Sequence, residues 1–416
     1  MNSVELFAGA GGLALGVARA GFTHKAVVEI DRRACDTIRE NIRRQVAYVK
    51  DWPLFEADIR QFNYAEVKGD VDLLSAGVPC QPFSFGGSHR GHFDERNLFP
   101  ETAEAIARLR PKAVLIENVK GLLRSTFRPY FEYVLAMLTL PEVRRGEDEP
   151  WTEHFERLQR DRGRSDVGTR YVVHYHQVNA ADFGIPQWRD RVIIVAFRAD
   201  LGVNWSPPPA THSLDALLWS QWWTKEYWDR HGLPQRVRPG AMSLRYQQAF
   251  TRLKSCASLA TRLTPWATVR DALHGLPKLR QGQTSADVEN HFLNPGARAY
   301  ERHVGSSPDE PAKTLKAGSH GVPGGENTLA LGGGRVRYFS VRECARLQTF
   351  PDNYVFPGAW TRAMRQLGNA VPVALAETFA LRIAESLREA QSPGSAAKAP
   401  THGHGARVPD CQAVEG

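Results

Sequence analysis

Val4-Glu5-Leu6-Phe7-Ala8-Gly9-Ala10-Gly11-Gly12-Leu13 is the stretch of the 416-residue sequence that indicates the fold most directly. An apolar, strand-like run leads into a glycine-rich turn, and a helix-like segment follows the turn. Glycines at these positions let the backbone turn tightly and approach a ligand, while the N-terminus of the next helix points at that ligand. The stretch therefore predicts the first strand–turn–helix unit of an α/β sheet that binds a nucleoside cofactor.

The alternation of strand and helix continues as far as about residue 198. Short apolar runs predict strands, and amphipathic segments such as 32–44 and 99–108 predict helices between them. The predicted strands are 4–7, 25–30, 71–76, 113–117, 171–178 and 192–197. This order indicates an α/β fold with a mostly parallel, Rossmann-like sheet.

The pattern breaks at Asn204-Trp205-Ser206-Pro207-Pro208-Pro209, and weakly periodic sequence rich in Gly and Pro follows. Regular patterning returns near residue 336. The predicted organisation is a catalytic and cofactor-binding domain over 1–199, a smaller irregular domain over 200–335, a return to the first domain over 336–390 and a disordered tail over 391–416.

Positive charge and tryptophan concentrate in the irregular domain. The net charge of the chain is +8, and residues 201–335 contain 16 Lys or Arg, 10 Asp or Glu and six of the ten tryptophans. Basic residues mixed with aromatics suit contacts with phosphates and bases. A small domain with a tryptophan core and a solvated charged face has the same composition, and composition alone favours this second explanation.

The cysteines and the hydropathy exclude several classes of protein. The five cysteines are scattered and no pair has the spacing of a zinc site, so we predict no metal, no disulfide framework and a reducing cytoplasm. We find no charged-then-apolar leader and no apolar run near 18 residues, which predicts neither secretion nor membrane contact.

The glycine turn alone does not identify the cofactor. Gly9, Gly11 and Ala14 satisfy the dinucleotide pattern, and Glu29 lies where an acid that binds ribose is expected. Asp58-Ile59 offers an acceptor for an adenine amino group and an apolar wall, although a solvated loop acid looks the same in sequence. NAD and S-adenosylmethionine therefore both stay open at this point.

A cysteine follows the third predicted strand, in Gly77-Val78-Pro79-Cys80-Gln81-Pro82-Phe83-Ser84. The carboxyl end of a parallel strand is where α/β folds place their chemistry. Most lone cysteines are inert core residues, but prolines and a glutamine are poor core sequence, so the context favours a nucleophile. The Gly-, Ser- and His-rich stretch 81–96 is predicted to form a lid beside it.

Six motifs, in order along the chain, resemble the DNA (cytosine-5)-methyltransferase family. They are the turn 7–12, Pro79-Cys80-Gln81, Glu117-Asn118-Val119, Gln187-Trp188-Arg189-Asp190-Arg191, Arg342-Glu343-Cys344-Ala345-Arg346-Leu347-Gln348-Thr349-Phe350-Pro351 and Gly368-Asn369-Ala370-Val371-Pro372. The resemblance runs over 4–198 and 336–385, about 60% of the chain. It implies a bacterial modification-type enzyme that moves a methyl group from S-adenosylmethionine to carbon 5 of a cytosine flipped out of duplex DNA.

The resemblance also implies a role for each site residue. Cys80 would attack carbon 6 of cytosine, and Glu117 would hold or donate a proton at ring nitrogen 3. Arg189 and Arg191 would grip the base oxygen and a phosphate. The implied cofactor residues are Phe7, Gly9 and Gly11 at the methionine end, Glu29 at the ribose, Asp58 at the adenine, and Ile30, Ile59, Pro79, Leu98 and Asn369 around them.

Residues 200–335 would then be the target-recognition domain, with 313–321 as a candidate for groove contacts. The implied partner is double-stranded DNA, bound by a monomer in the bacterial cytoplasm as part of a restriction-modification system. An RNA cytosine methyltransferase is an alternative that the large recognition domain disfavours, and an inactive DNA-binding homologue is one that the intact motifs disfavour. Amino-group methyltransferases are disfavoured because the chain has no Asp/Asn-Pro-Pro-aromatic motif.

Overall fold

A seven-stranded sheet forms the centre of the structure, a computed structural model that describes residues 1–79, 98–164, 168–255, 262–279, 288–300, 304–317 and 327–391. The strands are β1 (Asn2–Leu6), β2 (Thr23–Glu29), β3 (Leu54–Glu56), β4 (Leu73–Ala76), β5 (Ala113–Val119), β6 (Tyr171–Asn179) and β7 (Asp190–Arg198). They lie in the order β3-β2-β1-β4-β5-β7-β6, and β7 is antiparallel to both of its neighbours. The predicted α/β fold with a mostly parallel sheet is therefore confirmed.

One group of helices packs against the sheet, and further helices form the region of the chain that follows the sheet. Those of the first part are α1 (Gly12–Arg19), α2 (Arg32–Arg43), α3 (Phe99–Leu109), α4 (Arg128–Thr139) and α5 (Trp151–Asp161). The irregular region carries α6 (Leu214–Trp222), α7 (Glu226–Arg230), α8 (Leu244–Ser255) and α9 (Val269–Leu273), and the chain returns with α10 (Val341–Leu347), α11 (Trp360–Asn369) and α12 (Val373–Gln391). Two small pairs complete it: β8 (His212–Ser213) with β9 (Thr264–Pro265), and β10 (Thr328–Gly332) with β11 (Arg335–Tyr338).

All six predicted strands are present, with ends that differ by at most two residues from the prediction. Within the seven-stranded sheet, sequence reasoning missed β3, whose three residues, two half-buried and one exposed, are too few to show a period. The short strands β8 to β11 were not predicted either. The domain boundaries stay predictions, and the predicted tail beyond Gln391 lies outside the described residues.

The order of the strands creates a crevice between β1 and β4. From β1 the chain winds outward through β2 and β3, whereas β4 and β5 extend the sheet on the other side of β1. In open α/β sheets, ligands bind at such a switch point, outside the carboxyl ends of the strands. The glycine turn after β1 and the segment after β4 both come to this edge.

Helix α12, the last described helix, packs against α1, the first helix of the chain. Helix α12 lies along α1, and together they cover one face of the sheet. Gly16 of α1 makes the close approach possible, because an added Cβ there would clash with the Cβ of Ala376 and lie 2.5 Å from the carbonyl oxygen of Val373. An added Cβ at Gly12 would likewise clash with the carbonyl oxygen of Val371. Residues 371–376 therefore support the helix that begins at the glycine turn.

The stretch Trp360–Gln391 contains an 18-residue window with the length and hydropathy of a membrane-spanning helix. This window is apolar on average but contains polar and charged residues, among them Glu377, so it is not a continuous apolar run of the kind that the sequence prediction excluded. Of that window, 67% is buried inside the protein, where Leu375, Phe379 and Ile383 pack into the core on the α1 face of the sheet. Buried core helices pass the same test of composition, and the absence of membrane contact stays a prediction.

Polar side chains lie buried beneath α1. Glu5 of β1 is fully buried, and the hydroxyl of Ser75 on β4 donates a hydrogen bond to its Oε2. Burial raises the pKa of Glu5 to about 8, and the bond from Ser75 opposes this only in part. His24 of β2 donates from Nε2 to the carbonyl oxygen of Ala14, and burial lowers its pKa to about 4. Both groups are therefore neutral in the folded protein at pH 7.

We predict that Glu5→Gln makes the stability of the fold less dependent on pH. The folded pKa of Glu5 lies above its ordinary value of 4.5, so its contribution is complete below about pH 4.5 and is lost as the pH rises through about 8. Between about pH 5 and pH 8 the wild type should therefore lose up to about 3 kcal/mol of unfolding free energy that the variant keeps.

Chemical denaturation of both proteins at the two pH values measures this difference. The contribution of His24 is present in both proteins and cancels. Parallel pH profiles for the wild type and Glu5→Gln would contradict the prediction.

Candidate active site

The glycine turn after β1 has a backbone that leaves space beside it. Phe7, Gly9 and Gly11 have positive φ angles of 56°, 54° and 81°. An added Cβ at Gly9 would meet no atom of the described residues within 4 Å, so within this part of the chain the turn borders open space. The phenol of Tyr354, from the end of the chain, donates a hydrogen bond of 2.7 Å to the carbonyl oxygen of Ala10. The turn is thus fixed from behind and open toward the crevice.

Glu29 lies at the end of β2, beside this turn. Its Oε2 accepts a hydrogen bond of 2.7 Å from the backbone N–H of Gly9, and its Oε1 accepts one of 2.7 Å from Asp31. Burial raises the pKa of Glu29, and the backbone hydrogen bonds from Asp31 and Gly9 oppose this in part. A carboxylate oxygen accepts more than one hydrogen bond, so Glu29 can still receive ligand hydroxyls. The neighbouring Ile30 is 62% exposed and offers an apolar surface.

Asp58 and Ile59, which sequence reasoning assigned to the adenine ring, have other contacts as well. Arg60 binds the Asp58 carboxylate, with 2.5 Å between Nη2 and Oδ2, and this pair lowers the pKa of Asp58. A ligand amino group would therefore share that carboxylate with Arg60. Ile59 is buried and packs in the core with Phe62 and Val71. Its role as a wall of the cofactor pocket stays a prediction.

The remaining cofactor residues come from three separate parts of the chain. Pro79 and Leu98 are both half-buried, while Cys80 and the whole stretch 81–96 lie outside the described residues. Asn369 is the exposed last residue of α11. The backbone two residues beyond it packs against Gly12, so the structure brings the Asn369 segment to the glycine turn.

Glu117 and Arg191 form a buried ion pair near the carboxyl end of β5. They lie on the adjacent antiparallel strands β5 and β7, two residues apart in the register, because Glu117 pairs with Ile193 and Arg191 with Val119. Nε of Arg191 is 2.6 Å from Oε1 of Glu117, and their side chains are only 10% and 9% exposed. Attraction between charges is strong where water is excluded, so the guanidinium keeps the carboxyl group beside it. The predicted proton donor is therefore fixed at the edge of the sheet, one strand from β4.

Asn118, the next residue on β5, faces the opposite side of the sheet and binds the end of the neighbouring strand. Its Nδ2 donates a hydrogen bond of 3.2 Å to the carbonyl oxygen of Val78, two residues before Cys80. Sequence reasoning recognised the Glu-Asn-Val motif but gave Asn118 no role. The available signal was an amide in an otherwise apolar strand, since buried polar groups require partners.

Arg189 lies in a buried polar network and is only 1% exposed. Its Nη2 donates to the carbonyl oxygens of Gly368, at 3.0 Å, and Ala370, at 2.8 Å. Its Nη1 donates to the carbonyl oxygen of Leu315, at 3.4 Å, and to Oε1 of Gln187, at 3.3 Å. These contacts favour a positioning role for Arg189 over the predicted grip on a base oxygen or a phosphate.

Two buried glutamines extend this network, and sequence reasoning gave neither of them a role. Gln187 donates to the carbonyl oxygen of Leu347, at 3.3 Å, and to Oε1 of Gln348, at 3.2 Å. Its own Oε1 accepts the backbone N–H of Leu315 at 3.1 Å. Gln348 donates to the carbonyl oxygen of Ala370 at 3.1 Å. The network joins the start of β7 to the end of α10, the end of α11 and the segment around residue 315.

Two cysteines in the described part of the chain are unsuited to nucleophilic chemistry. Cys35 and Cys344 are both buried free thiols. Burial raises the pKa of Cys35 to about 12 and also raises that of Cys344 well above its ordinary value. Because the thiolate is the reactive form, these two side chains are inert at neutral pH. Among the described residues, no group of three or more His, Cys, Asp or Glu could hold a metal ion.

The six tryptophans between residues 201 and 335 divide between core and surface. Three are buried: Trp205, Trp228 and Trp266. Trp219 and Trp223 stack with their rings 4.9 Å apart, and Trp223 is 54% exposed. Trp219 and Trp222 are half-buried against the small cluster of Leu218 and Leu253. The explanation by a tryptophan core therefore accounts for most of the set, and Trp223 is the exposed member. Of the predicted groove loop 313–321, residues 318–321 lie outside the described part of the chain.

Comparison with known proteins identifies the same family. The family model for C-5 cytosine-specific DNA methylases matches residues 1–140 and 165–385. Type II methyltransferase M.Eco47II of Escherichia coli is 31% identical over 89% of this chain and 76% of its own length. Type II methyltransferase M.NgoMIV of Neisseria gonorrhoeae is 30% identical over 93% of this chain and 98% of its own length.

Solved structures show the same fold at lower identity. A prophage-encoded protein of Escherichia coli has a TM-score of 0.56 and 19% identity, with 93% of this chain and 99% of that chain covered. DNMT2 of Spodoptera frugiperda, in a substituted form, has a TM-score of 0.54 and 16% identity over the same shares of the two chains. The family model matches most of the sequence, including the glycine turn and the buried Glu117–Arg191 pair, and the chain therefore belongs to the C-5 cytosine-specific DNA methylases as a DNA (cytosine-5-)-methyltransferase.

Proposed function

We propose that this methyltransferase acts at a specific site in duplex DNA, where it flips a cytosine out of the helix, attaches it covalently to Cys80 and methylates carbon 5 with S-adenosylmethionine. The observation that carries the proposal is the buried Glu117–Arg191 pair, with 2.6 Å between Nε and Oε1. It lies one strand from the segment that leads into Cys80, and Asn118 ties that segment to the same strand. Family membership supplies the reaction class, and these contacts support the assignment of the reacting groups.

Carbon 5 of cytosine is a poor nucleophile, so residues of the enzyme must activate the ring. The Cys80 thiolate adds to carbon 6, and the new carbon–sulfur bond makes carbon 5 the nucleophilic end of an enamine. Negative charge develops toward ring nitrogen 3, which takes a proton from the Glu117 carboxyl group and returns it when the thiolate leaves. In between, the Glu117 carboxylate is paired with the Arg191 guanidinium. Arg191 keeps that carboxyl group in place. Once carbon 5 carries the methyl group, it loses its proton to a base and the carbon–sulfur bond breaks, which releases the Cys80 thiolate.

The crevice beside β1 fits S-adenosylmethionine, which when bound supplies the electrophilic methyl group. Open space beside Gly9 leaves room for the ligand next to the turn. The Glu29 carboxylate offers acceptors for the two ribose hydroxyls, and the exposed Ile30 gives an apolar face for the adenine ring. We assign the methionine end to the turn itself, where backbone groups approach the ligand without intervening side chains.

The buried position of the Glu117–Arg191 pair supports base flipping, because a cytosine inside the DNA stack would not reach it. Flipping costs about a few kcal/mol, which protein–DNA contacts must offset. We assign those contacts largely to residues 200–335, where most of the excess positive charge lies. The enzyme would act as a monomer on double-stranded DNA in the cytoplasm. The type II relatives support a modification role in a restriction-modification system.

We predict that duplex DNA with 5-fluorocytosine at the target forms a stable adduct with the protein. Fluorine cannot leave carbon 5 as a proton does, so the reaction should stop after methyl transfer with the Cys80 bond intact. The adduct should require S-adenosylmethionine, resist denaturing electrophoresis and map by mass spectrometry to the peptide with Pro79-Cys80-Gln81.

Cys80→Ala should abolish the adduct, while the matched control Cys35→Ala, a change at a buried thiol, should retain it. An adduct that survives in Cys80→Ala would mean that another cysteine is the nucleophile. If ordinary DNA is methylated and no adduct forms, the covalent mechanism is wrong.

We predict that Glu29→Gln weakens S-adenosylmethionine binding about ten-fold or more and leaves DNA affinity nearly unchanged. A hydrogen bond to a charged group contributes roughly 1.5–3 kcal/mol, and the variant removes the charge. Glu56→Gln is the matched control, because Glu56 pairs with Glu29 in the sheet register but binds Arg39 on the surface. Calorimetry should show a loss in the first variant alone, and equal cofactor affinity in both variants would refute the assignment.

A further inference from the structure

Trp188 is an exposed aromatic residue within a buried stretch that leads into β7. Its side chain is 42% exposed, whereas Gln187 and Arg189 on either side are at 0% and 1%. Side chains alternate along an extended backbone, so the two neighbours enter the buried network while the indole points away from it. Sequence reasoning placed Trp188 in the Gln-x-Arg-x-Arg motif, and nothing in the proposed chemistry uses it.

The backbone of Trp188 is hydrogen-bonded on both sides, and its indole packs against a second tryptophan. Its backbone N–H donates a hydrogen bond of 2.8 Å to the carbonyl oxygen of Ala312, and its own carbonyl oxygen accepts one of 2.6 Å from the Thr314 hydroxyl. Its ring meets that of Trp266 edge to face, with 5.1 Å between the centroids. Trp266 is itself buried and donates from Nε1 to Asp182 at 3.0 Å. A ring fixed in this way loses little conformational entropy when a ligand covers it.

The backbone of Trp188 is close to the proposed chemistry, while its indole leaves the chain on the side opposite to Arg189 and Arg191. Trp188 precedes Arg191 by three residues, so the two Cα atoms lie at most about 10 Å apart. Its contacts with residues 312–314 also put it at the junction between the sheet and the proposed recognition region. Lys313 lies within this segment and Lys316 lies two residues after it, and the side chain of Lys316 is exposed. An aromatic face beside lysines is the combination that binds unpaired nucleotides, with bases on the ring and phosphates on the amines.

We propose that Trp188 is a DNA-contact residue whose exposed indole packs on the nucleotide next to the flipped cytosine, while Lys313 and Lys316 bind the flanking phosphates. This inference rests on the proposed base flipping, because the neighbouring bases lose a stacking partner when the cytosine leaves. The indole replaces that partner. Every base has a stacking face, so Trp188 contributes affinity for the flipped state and not the choice of sequence.

The first test measures DNA affinity in the full-length protein. Trp188→Ala should raise the Kd for a target duplex, and the KM for DNA, by about ten-fold, and Trp188→Phe should lie between this variant and the wild type. Tyr175→Ala is the matched control, because Tyr175 is 46% exposed on the outer strand β6 and packs on Phe131. The control should bind DNA as the wild type does. S-adenosylmethionine affinity and Tm should be unchanged in all three variants.

The second test reports on stacking itself. A duplex with 2-aminopurine next to the target cytosine fluoresces when the probe loses its stacking partner. The probe should be quenched when bound to the wild type and to Trp188→Phe, and bright when bound to Trp188→Ala at saturating protein.

The outcomes separate this inference from the proposed function. If the wild type methylates cytosine and Trp188→Ala matches it in DNA affinity or in probe quenching, the inference is wrong and the proposed function stands. If Trp188→Ala also weakens cofactor binding about ten-fold, or lowers Tm, the indole is a packing residue and the inference is again wrong. If the wild type forms no adduct with 5-fluorocytosine, the proposed mechanism fails whatever the tryptophan variants show.

Discussion

The buried guanidinium of Arg189 is the constraint on which the arrangement of the site depends. A charge that is 1% exposed must be met by acceptors, and removing a partner from such a group costs several kcal/mol, roughly 3–5. Its acceptors come from Gln187 beside it, from Leu315 and from the carbonyl oxygens of Gly368 and Ala370. Those carbonyl oxygens are supplied by parts of the chain that lie far apart in sequence. The fold therefore satisfies this charge only when the end of the chain has returned to the sheet.

Both halves of the site are attached to this network. Arg191, which holds Glu117, is two residues from Arg189 on the same extended backbone. On the other side, the residue after Ala370 packs on Gly12, where α1 leaves the glycine turn. A change in the network would thus move the glycine turn and the Glu117–Arg191 pair together. Gly368 belongs to the same constraint, because an added Cβ there would clash with the backbone of residues 316–317.

The sequence predicts the parts of this structure that follow from local pattern. Apolar periodicity and glycine turns identify the strands, and the motifs identify Glu29 and Glu117, which lie at strand ends as expected. A local sequence pattern does not predict the hydrogen-bond partner of a buried polar group when that partner is more than a hundred residues away. Arg189 accordingly reads in sequence as a ligand-binding arginine, whereas its contacts are with main-chain carbonyl oxygens. Asp58 likewise reads as a free acceptor, but Arg60 two residues later already binds it.

The network reaches the proposed recognition region through main-chain atoms. This explains how one arrangement of catalytic residues can serve different target sequences. Leu315 joins the network through its backbone N–H and carbonyl oxygen, and Ala312 receives the N–H of Trp188 on its carbonyl oxygen. Backbone atoms are present whatever side chain a position carries, so substitutions in this segment preserve the connection to β7. A region that reads DNA must vary in its side chains, whereas the chemistry requires fixed distances at Glu117 and Arg191. Main-chain coupling meets both requirements, because it transmits the position of the segment to the site without constraining which side chains the segment presents to DNA.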